Sequence, residues 1–194
     1  MRGADQSWLP AASARQLRDA VHDNLRNLQL DALDVVNYRA PGVAAPDGSS
    51  IGEAVAAMLR LKEEGLIRHI GLSNVDAQQL AEAQQITGIV CVQNQYNLAH
   101  RGDDAMIAAL AAQGIAYVPF FPLGGFTPLQ SDVLTQVAAA MQATPMQVAL
   151  AWLLQRSPNV LVIPGTSSVA HLRENVAAGS LRLDAAALSA LNAM

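Results

Sequence analysis

Apolar positions fall into two alternating rhythms along this chain. In Ala14–Leu28 they recur at Leu17, Val21, Leu25 and Leu28, spaced by three and four, which predicts an amphipathic helix with Ser13 as its N-cap. Leu33–Tyr38 is a short β-rich run. Ser50–Glu64 predicts a helix closed by Gly65, and Ile67–Leu72 a strand. The alternation continues with a helix over Asp76–Ile86, a strand over Ile89–Val92, a helix over Asp103–Gln113 and a strand over Ile115–Phe121. Two helices follow, Ser131–Gln142 and Pro145–Leu154, the second with Thr144 as N-cap and Pro145 at its first position. A strand over Val160–Ile163 and helices over Val169–Ala177 and Asp184–Leu191 complete the pattern. The strands are apolar at nearly every residue, as expected of parallel strands buried on both faces by helices. The fold class is therefore α/β with a parallel sheet. A closed (β/α)₈ barrel needs eight strands in typically about 250 residues, so an open doubly wound sheet stays in play.

Composition narrows this further. The chain has 194 residues, 52% hydrophobic and 14% charged, the opposite of a disordered composition. A net charge of −4 gives no electrostatic reason to expect nucleic acid or an anionic membrane as partner. Its single cysteine, Cys91, cannot form an internal disulfide, so a reducing compartment fits, and its place in a strand suggests an inert core thiol. Met1–Ser7 lacks the apolar core of a signal peptide, and the apolar runs are too short to span a bilayer. A cytoplasmic protein is expected. His22, His69, His100 and His171 lack metal-ligand spacing, so no metal is expected. Trp152 reads as core, and Trp8 has no assigned role.

Polar residues gather at one end of each predicted strand: Arg39; Ser73 and Asn74; Gln93, Asn94 and Gln95; Pro122, Leu123 and Gly124; Gly165, Thr166, Ser167 and Ser168. Parallel strands share a C-terminal face, where ligands bind. The bland alternative is that strands become polar simply because loops begin. The Pro164–Ser168 segment leads directly into a helix, whose start favours an anion, and Gly165 and three hydroxyls suit a phosphate, with His171 and Arg173 nearby. An ordinary cap by Ser168 would explain the same serine.

These segments resemble a known family. Ile163–Asn175, reading Ile-Pro-Gly-Thr-Ser-Ser-Val-Ala-His-Leu-Arg-Glu-Asn, is similar to the cofactor-phosphate signature of aldo-keto reductases. His69-Ile-Gly-Leu-Ser-Asn74 resembles their strand-five motif, the Leu28–Arg39 segment their lead-in to strand four, and Val118–Gly124 their strand seven. Val92–His100 and Phe120–Gln130 look most like bacterial pyridoxal reductase-type members.

The resemblance implies a single domain over residues 1–194, a partial (β/α)₈ TIM barrel comprising strands four to eight and their helices. It also implies NADP(H) as cofactor and a small-molecule carbonyl as substrate, an aldehyde or ketone, with pyridoxal as the first guess. Under it, Ser73, Asn74 and Gln93 would hold the nicotinamide carboxamide and Phe120 would stack on the ring, although core packing is the alternative for Phe120. Leu123 and Gly124 would line the pyrophosphate path. Gly165, Thr166, Ser167, Ser168 and His171 would hold the 2′-phosphate, and Glu174 and Asn175 would meet the adenine end.

The resemblance also implies two departures from the family. Its catalytic Asp, Tyr and Lys lie on the first three βα units, for which this chain has no positions, and its catalytic histidine is replaced by Arg39. Arginine can hydrogen-bond a carbonyl or an anionic group but cannot shuttle protons; a structural ion pair is the other reading of Arg39. Tyr38 and Tyr96 do not match the missing acid in position. The leading expectation is a carbonyl reductase, and its rival a catalytically inactive nucleotide-binding remnant. Without three units, both sheet edges are expected to lie open and to promote self-association.

Overall fold

The structure, a computed structural model, describes residues 13–42, 45–125 and 129–194, so Trp8, the N-terminal segment, part of the loop after Arg39, and Phe126 to Pro128 lie outside it. The chain divides into two compact units, residues 1–93 and 94–194.

The first unit opens on α1 (Ala14–Leu28), held at its start by a reciprocal pair: Ser13 accepts from the Gln16 backbone while Gln16 reaches back to Ser13. Leu17, Val21 and Leu25 are buried. Leu28, expected on the same stripe, is instead exposed, because Gln29 turns left-handed (φ 56°) and ends the helix there. Next come β1 (Leu33–Arg39), α2 (Gly52–Glu63), β2 (Ile67–Ser73), α3 (Ala77–Ile86) and β3 (Ile89–Gln93). Gly65 follows α2 with φ 79°, a conformation that favours glycine. The start of α3 repeats the reciprocal cap, with Asp76 and Gln79.

β1 pairs with β2 and β2 with β3, all parallel. Register sorts the side chains into two faces. Tyr38, Leu72 and Val92 align on one face and are buried, and α2, with Val55, Met58 and Leu61 buried, packs on β1 and β2. Asn37 aligns with Gly71, and Arg39 with Ser73 and Gln93, on the other face, where Val35 is 50% exposed. The expectation of strands buried on both faces is thus corrected. In this unit one face is core and the other carries the polar residues, and Cys91, on that second face, is half-buried rather than sealed in a core.

The second unit contains α4 (Asp104–Ala112), β4 (Ala116–Tyr117), α5 (Asp132–Ala140), α6 (Pro145–Arg156), α7 (Val169–Ala177), a single 3₁₀ turn and α8 (Ala185–Asn192). Thr144 caps α6 with Gln147, and Pro145 occupies its first turn. Val148 through Leu153 are all buried, so α6 is apolar all round and forms the centre of this unit. Trp152 stacks on Tyr96 (centroids 5.8 Å apart, 13° between planes), and Tyr96 meets Tyr117 edge-on at 5.7 Å.

Two expected strands come out shorter. Ile115–Phe121 reduces to β4 plus a bridge from Phe120 to Gln95, because Pro119 lacks an N–H and Phe121 takes a left-handed turn (φ 54°). Val160–Ile163 is not a strand: Val160 alone bridges Tyr117, and Leu161 and Ile163 are about half exposed. Apolar composition made that run strand-like, but one two-residue neighbour supplies too few hydrogen bonds to extend it. No single described helix is long and apolar enough to cross a membrane.

Candidate functional site

Parallel pairing brings the C-terminal ends of β1, β2 and β3 to one edge. There the Arg39 guanidinium donates to Ser73 Oγ at 3.2 Å. Burial pulls the Arg39 pKa below its ordinary value, which still leaves a cation at neutral pH. The ends are tied by backbone as well: Ala40 N–H donates to the Ser73 carbonyl (2.9 Å) and Asn74 N–H to the Gln93 carbonyl (3.0 Å).

Asn74 takes a left-handed conformation (φ 57°) and is buried. Its amide donates to the carbonyls of Pro41 (3.1 Å) and Gly42 (3.3 Å). It therefore anchors the loop after β1, a task the sequence did not suggest. Tyr38 is buried on the opposite face from Arg39, with its pKa raised by burial and by Asp47.

One residue absent from the sequence reading stands behind this edge. Asn37 Nδ2 donates to Gln93 Oε1 at 2.8 Å, and the Cys91 thiol donates to Asn37 Oδ1 at 3.3 Å. Gly71 lies between them in β2, and a Cβ there would come within 2.0 Å of Asn37 Oδ1 and 2.5 Å of Cys91 Sγ. The bare glycine is what lets Asn37 reach across β2 to β3. Burial pushes the Cys91 thiol pKa up, keeping it a neutral donor.

A shallow groove of about 320 Å³ nearby, lined by Gly48, Ser49, Ser50, Gln79 and Glu82 among others, is spent on structure. Glu82 accepts from the backbone N–H of Ile51 (3.0 Å) and Gly52 (3.2 Å), capping α2, whose own N-cap Ile51 has no side chain to do so. Hydrogen bonds from Ser50 and from the Ile51 backbone hold its carboxyl below the usual range.

In the second unit, the Phe120 N–H donates to the Asn94 carbonyl at 2.8 Å, and Asn97 donates to the Phe121 carbonyl at 2.9 Å. Phe120 is half-buried and meets Phe121 edge-on at 5.2 Å, so its ring is not enclosed in a core. Leu123 is half-buried, and Gly124 turns with φ 96°. At the start of α7, Ser168 Oγ accepts from His171 N–H (3.4 Å) and Thr166 Oγ1 from Ser168 N–H (3.1 Å). Ser168 is thus the helix cap. Gly165, Thr166, Ser167 and His171 are exposed, while Glu174 and Asn175 are half-buried on α7.

Behind these loops lies a polar cluster that the sequence reading also missed. Tyr117 (2.8 Å) and Asn94 (2.7 Å) both donate to Asp103 Oδ2. Tyr96 donates to Asp104, which also pairs with Arg156 at 2.7 Å. Burial and the Asp104 hydrogen bond push the Tyr96 phenol up to about 12, and burial beside Asp103 raises Tyr117 further. Both phenols therefore stay protonated donors in a structural network.

With that geometry in place, likeness to known proteins is specific. The aldo/keto reductase family model matches residues 2–194. The chain is 64% identical over 194 residues to pyridoxine 4-dehydrogenase of Escherichia coli K12, covering 98% of this chain and 68% of that protein. It is 35% identical to an uncharacterized oxidoreductase of Schizosaccharomyces pombe, covering 99% of this chain and 62% of that one. Among solved structures, a thermostable aldo-keto reductase superposes with a TM-score of 0.83 at 30% identity, covering 94% of this chain and 67% of that one. An aldo/keto reductase of Klebsiella pneumoniae solved with NADP and acetate superposes with a TM-score of 0.80 at 28% identity, covering 94% and 66%. The chain spans about two thirds of the length of these proteins. It belongs to the aldo/keto reductase family, whose members exchange hydride between NADP(H) and carbonyl compounds.

Proposed function

We propose that this chain forms the cofactor-binding part of an NADPH-dependent carbonyl reductase acting on pyridoxal or a related aldehyde. The observation that carries the reading is the alignment of Arg39, Ser73 and Gln93 across three parallel strand ends, in a chain 64% identical to a pyridoxine 4-dehydrogenase. In this reading, residues 1–194 are one domain and supply a (β/α)₈ barrel from strand four onward, with Val160–Ile163, which makes a single bridge and no strand here, at the position of strand eight.

The residues present fit NADP(H). Ser73 and Gln93 offer hydroxyl and amide groups to the nicotinamide carboxamide, Asn74 holds the loop beside them through its buried amide, and the half-exposed Phe120 offers a ring face for stacking. Leu123 and Gly124 line the pyrophosphate path. At the α7 start, Gly165 permits close approach, Thr166 and Ser167 present exposed hydroxyls, and His171 lies one turn on. Ser168, already the cap, contributes by holding the helix N–H groups in place. Glu174 and Asn175 face the adenine end.

The bound cofactor supplies hydride. The chain's residues bind and orient it. Arg39 keeps Ser73 in place and presents a permanent cation that polarises a carbonyl oxygen or holds an anionic substituent beside it; proton delivery falls to another group, because guanidinium does not titrate.

The test is NADPH oxidation, followed by absorbance, with pyridoxal and simple aldehydes, using this chain joined to the remaining third of its Escherichia coli relative. Turnover with pyridoxal is expected, with Arg39→Leu reducing it about tenfold to a hundredfold through loss of a charge-assisted contact. A folded protein that oxidises NADPH with none of these aldehydes overturns the reading.

A further inference from the structure

We propose that Asn37 is a positioning residue for cofactor recognition: through Gly71 it fixes which end of the Gln93 amide faces the ligand. The proposal rests on the reading of Gln93 as a carboxamide ligand.

A glutamine amide can present either a donor or an acceptor, since its two ends have nearly the same shape. An unrestrained Gln93 would offer both, and recognition of the ring's carboxamide would be ambiguous. Here the ambiguity is removed one strand pair away. The Cys91 thiol donates to Asn37 Oδ1, so Asn37 turns its Nδ2 toward Gln93 and donates to Oε1 at 2.8 Å. With Oε1 occupied, Gln93 Nε2 is the end left for a ligand; it makes no hydrogen bond among the described residues. Gln93 is thereby set as a donor, suited to the carbonyl oxygen of a carboxamide.

The relay depends on the middle strand having no side chain. Asn37 and Gly71 are register partners in β1 and β2, and a Cβ on Gly71 would lie 2.0 Å from Asn37 Oδ1. Asn37 inside β1, a glycine opposite it and a thiol beyond it together form one connected relay.

The experiment measures binding to the 194-residue chain by titration with three ligands: NADP⁺, its acetylpyridine analogue, in which a methyl ketone replaces the carboxamide, and an adenosine bisphosphate fragment lacking the nicotinamide. Asn37→Asp removes the donor to Gln93 Oε1, so Gln93 rotates and shows the ligand an acceptor. A carboxamide can rotate to answer with its N–H₂; a methyl ketone cannot. The ratio of NADP⁺ to analogue affinity is expected to rise about tenfold, the worth of one mismatched hydrogen bond, with fragment affinity unchanged. Asn37→Leu, which removes the relay without adding charge, is expected to weaken NADP⁺ about fivefold and again leave the fragment unchanged.

Gln93→Leu is the control. If it weakens NADP⁺ while Asn37→Asp leaves the ratio unaltered, the positioning role is overturned and the Gln93 assignment stands. If it changes neither affinity nor ratio, the Gln93 assignment itself fails and takes this proposal with it. Parallel loss of fragment and NADP⁺ binding in both Asn37 variants would show a merely structural role and also overturn it.

Discussion

Replacing Trp152 with alanine is expected to cost about 3–5 kcal/mol of stability, the range for deleting a large buried ring. Trp152 is 1% exposed in the middle of α6, between other buried residues of the same helix. Its removal leaves Tyr96 without its stacked partner at 5.8 Å and Asn192 without the indole N–H that donates to it at 2.9 Å. The losses couple, because the Tyr96 hydroxyl is in turn bonded to Asp104 and to Arg156 at 3.0 Å. Against a typical domain stability of about 5–15 kcal/mol, this leaves the second unit marginal. Urea unfolding followed by circular dichroism checks it, with Trp152→Phe as the milder comparison that keeps most of the ring but loses the Asn192 bond. A loss below about 1 kcal/mol for the alanine variant would mean that α6 is not the centre of this unit.

Gly71→Val is expected to damage stability and cofactor binding together. A Cβ alone meets Asn37 Oδ1 at 2.0 Å and Cys91 Sγ at 2.5 Å, and both must move. Each is the end of a side chain, so the backbone need not break, but both hydrogen bonds of the relay do. Overpacking of this kind costs about 1–3 kcal/mol, and the two γ-methyls of valine place the variant at the upper end. Gly71→Ala is expected at the lower end. If valine folds with unchanged stability and unchanged NADP⁺ affinity, the face carrying Asn37 is neither closely packed nor connected to the ligand.

Much of this architecture was legible because helix ends announce themselves locally. Ser13, Asp76, Thr144 with Pro145, and Ser168 each marked a helix start to within a residue or two. Strands are not local. The apolar run Val160–Ile163 looked as strand-like as Ile67–Leu72, yet β2 has partners on both sides and Val160 has one bridge.

The site divided the same way. Arg39, Ser73 and Gln93 could be picked from their places at strand ends, whereas Asn37 could not. Its meaning lies in Gly71 and Cys91, residues that become its neighbours only once register is known. Polarity inside Leu33–Arg39 was a weak signal, since Asp34 is polar there too and serves only a surface ion pair with Arg68. Of the two readings of Ser168, the structure shows the cap. That leaves Thr166 and Ser167 as the hydroxyls presented beside it.

The central claim is that this chain carries the cofactor face of an NADPH-dependent reductase. Titration of the folded 194-residue chain with NADPH and with NADH, read by cofactor fluorescence, tests it most directly. The account predicts saturable NADPH binding at least about tenfold tighter than NADH, since the 2′-phosphate adds charge-assisted bonds, with the preference lost in Thr166→Ala/Ser167→Ala. A folded chain that binds neither nucleotide, or both equally, would contradict it.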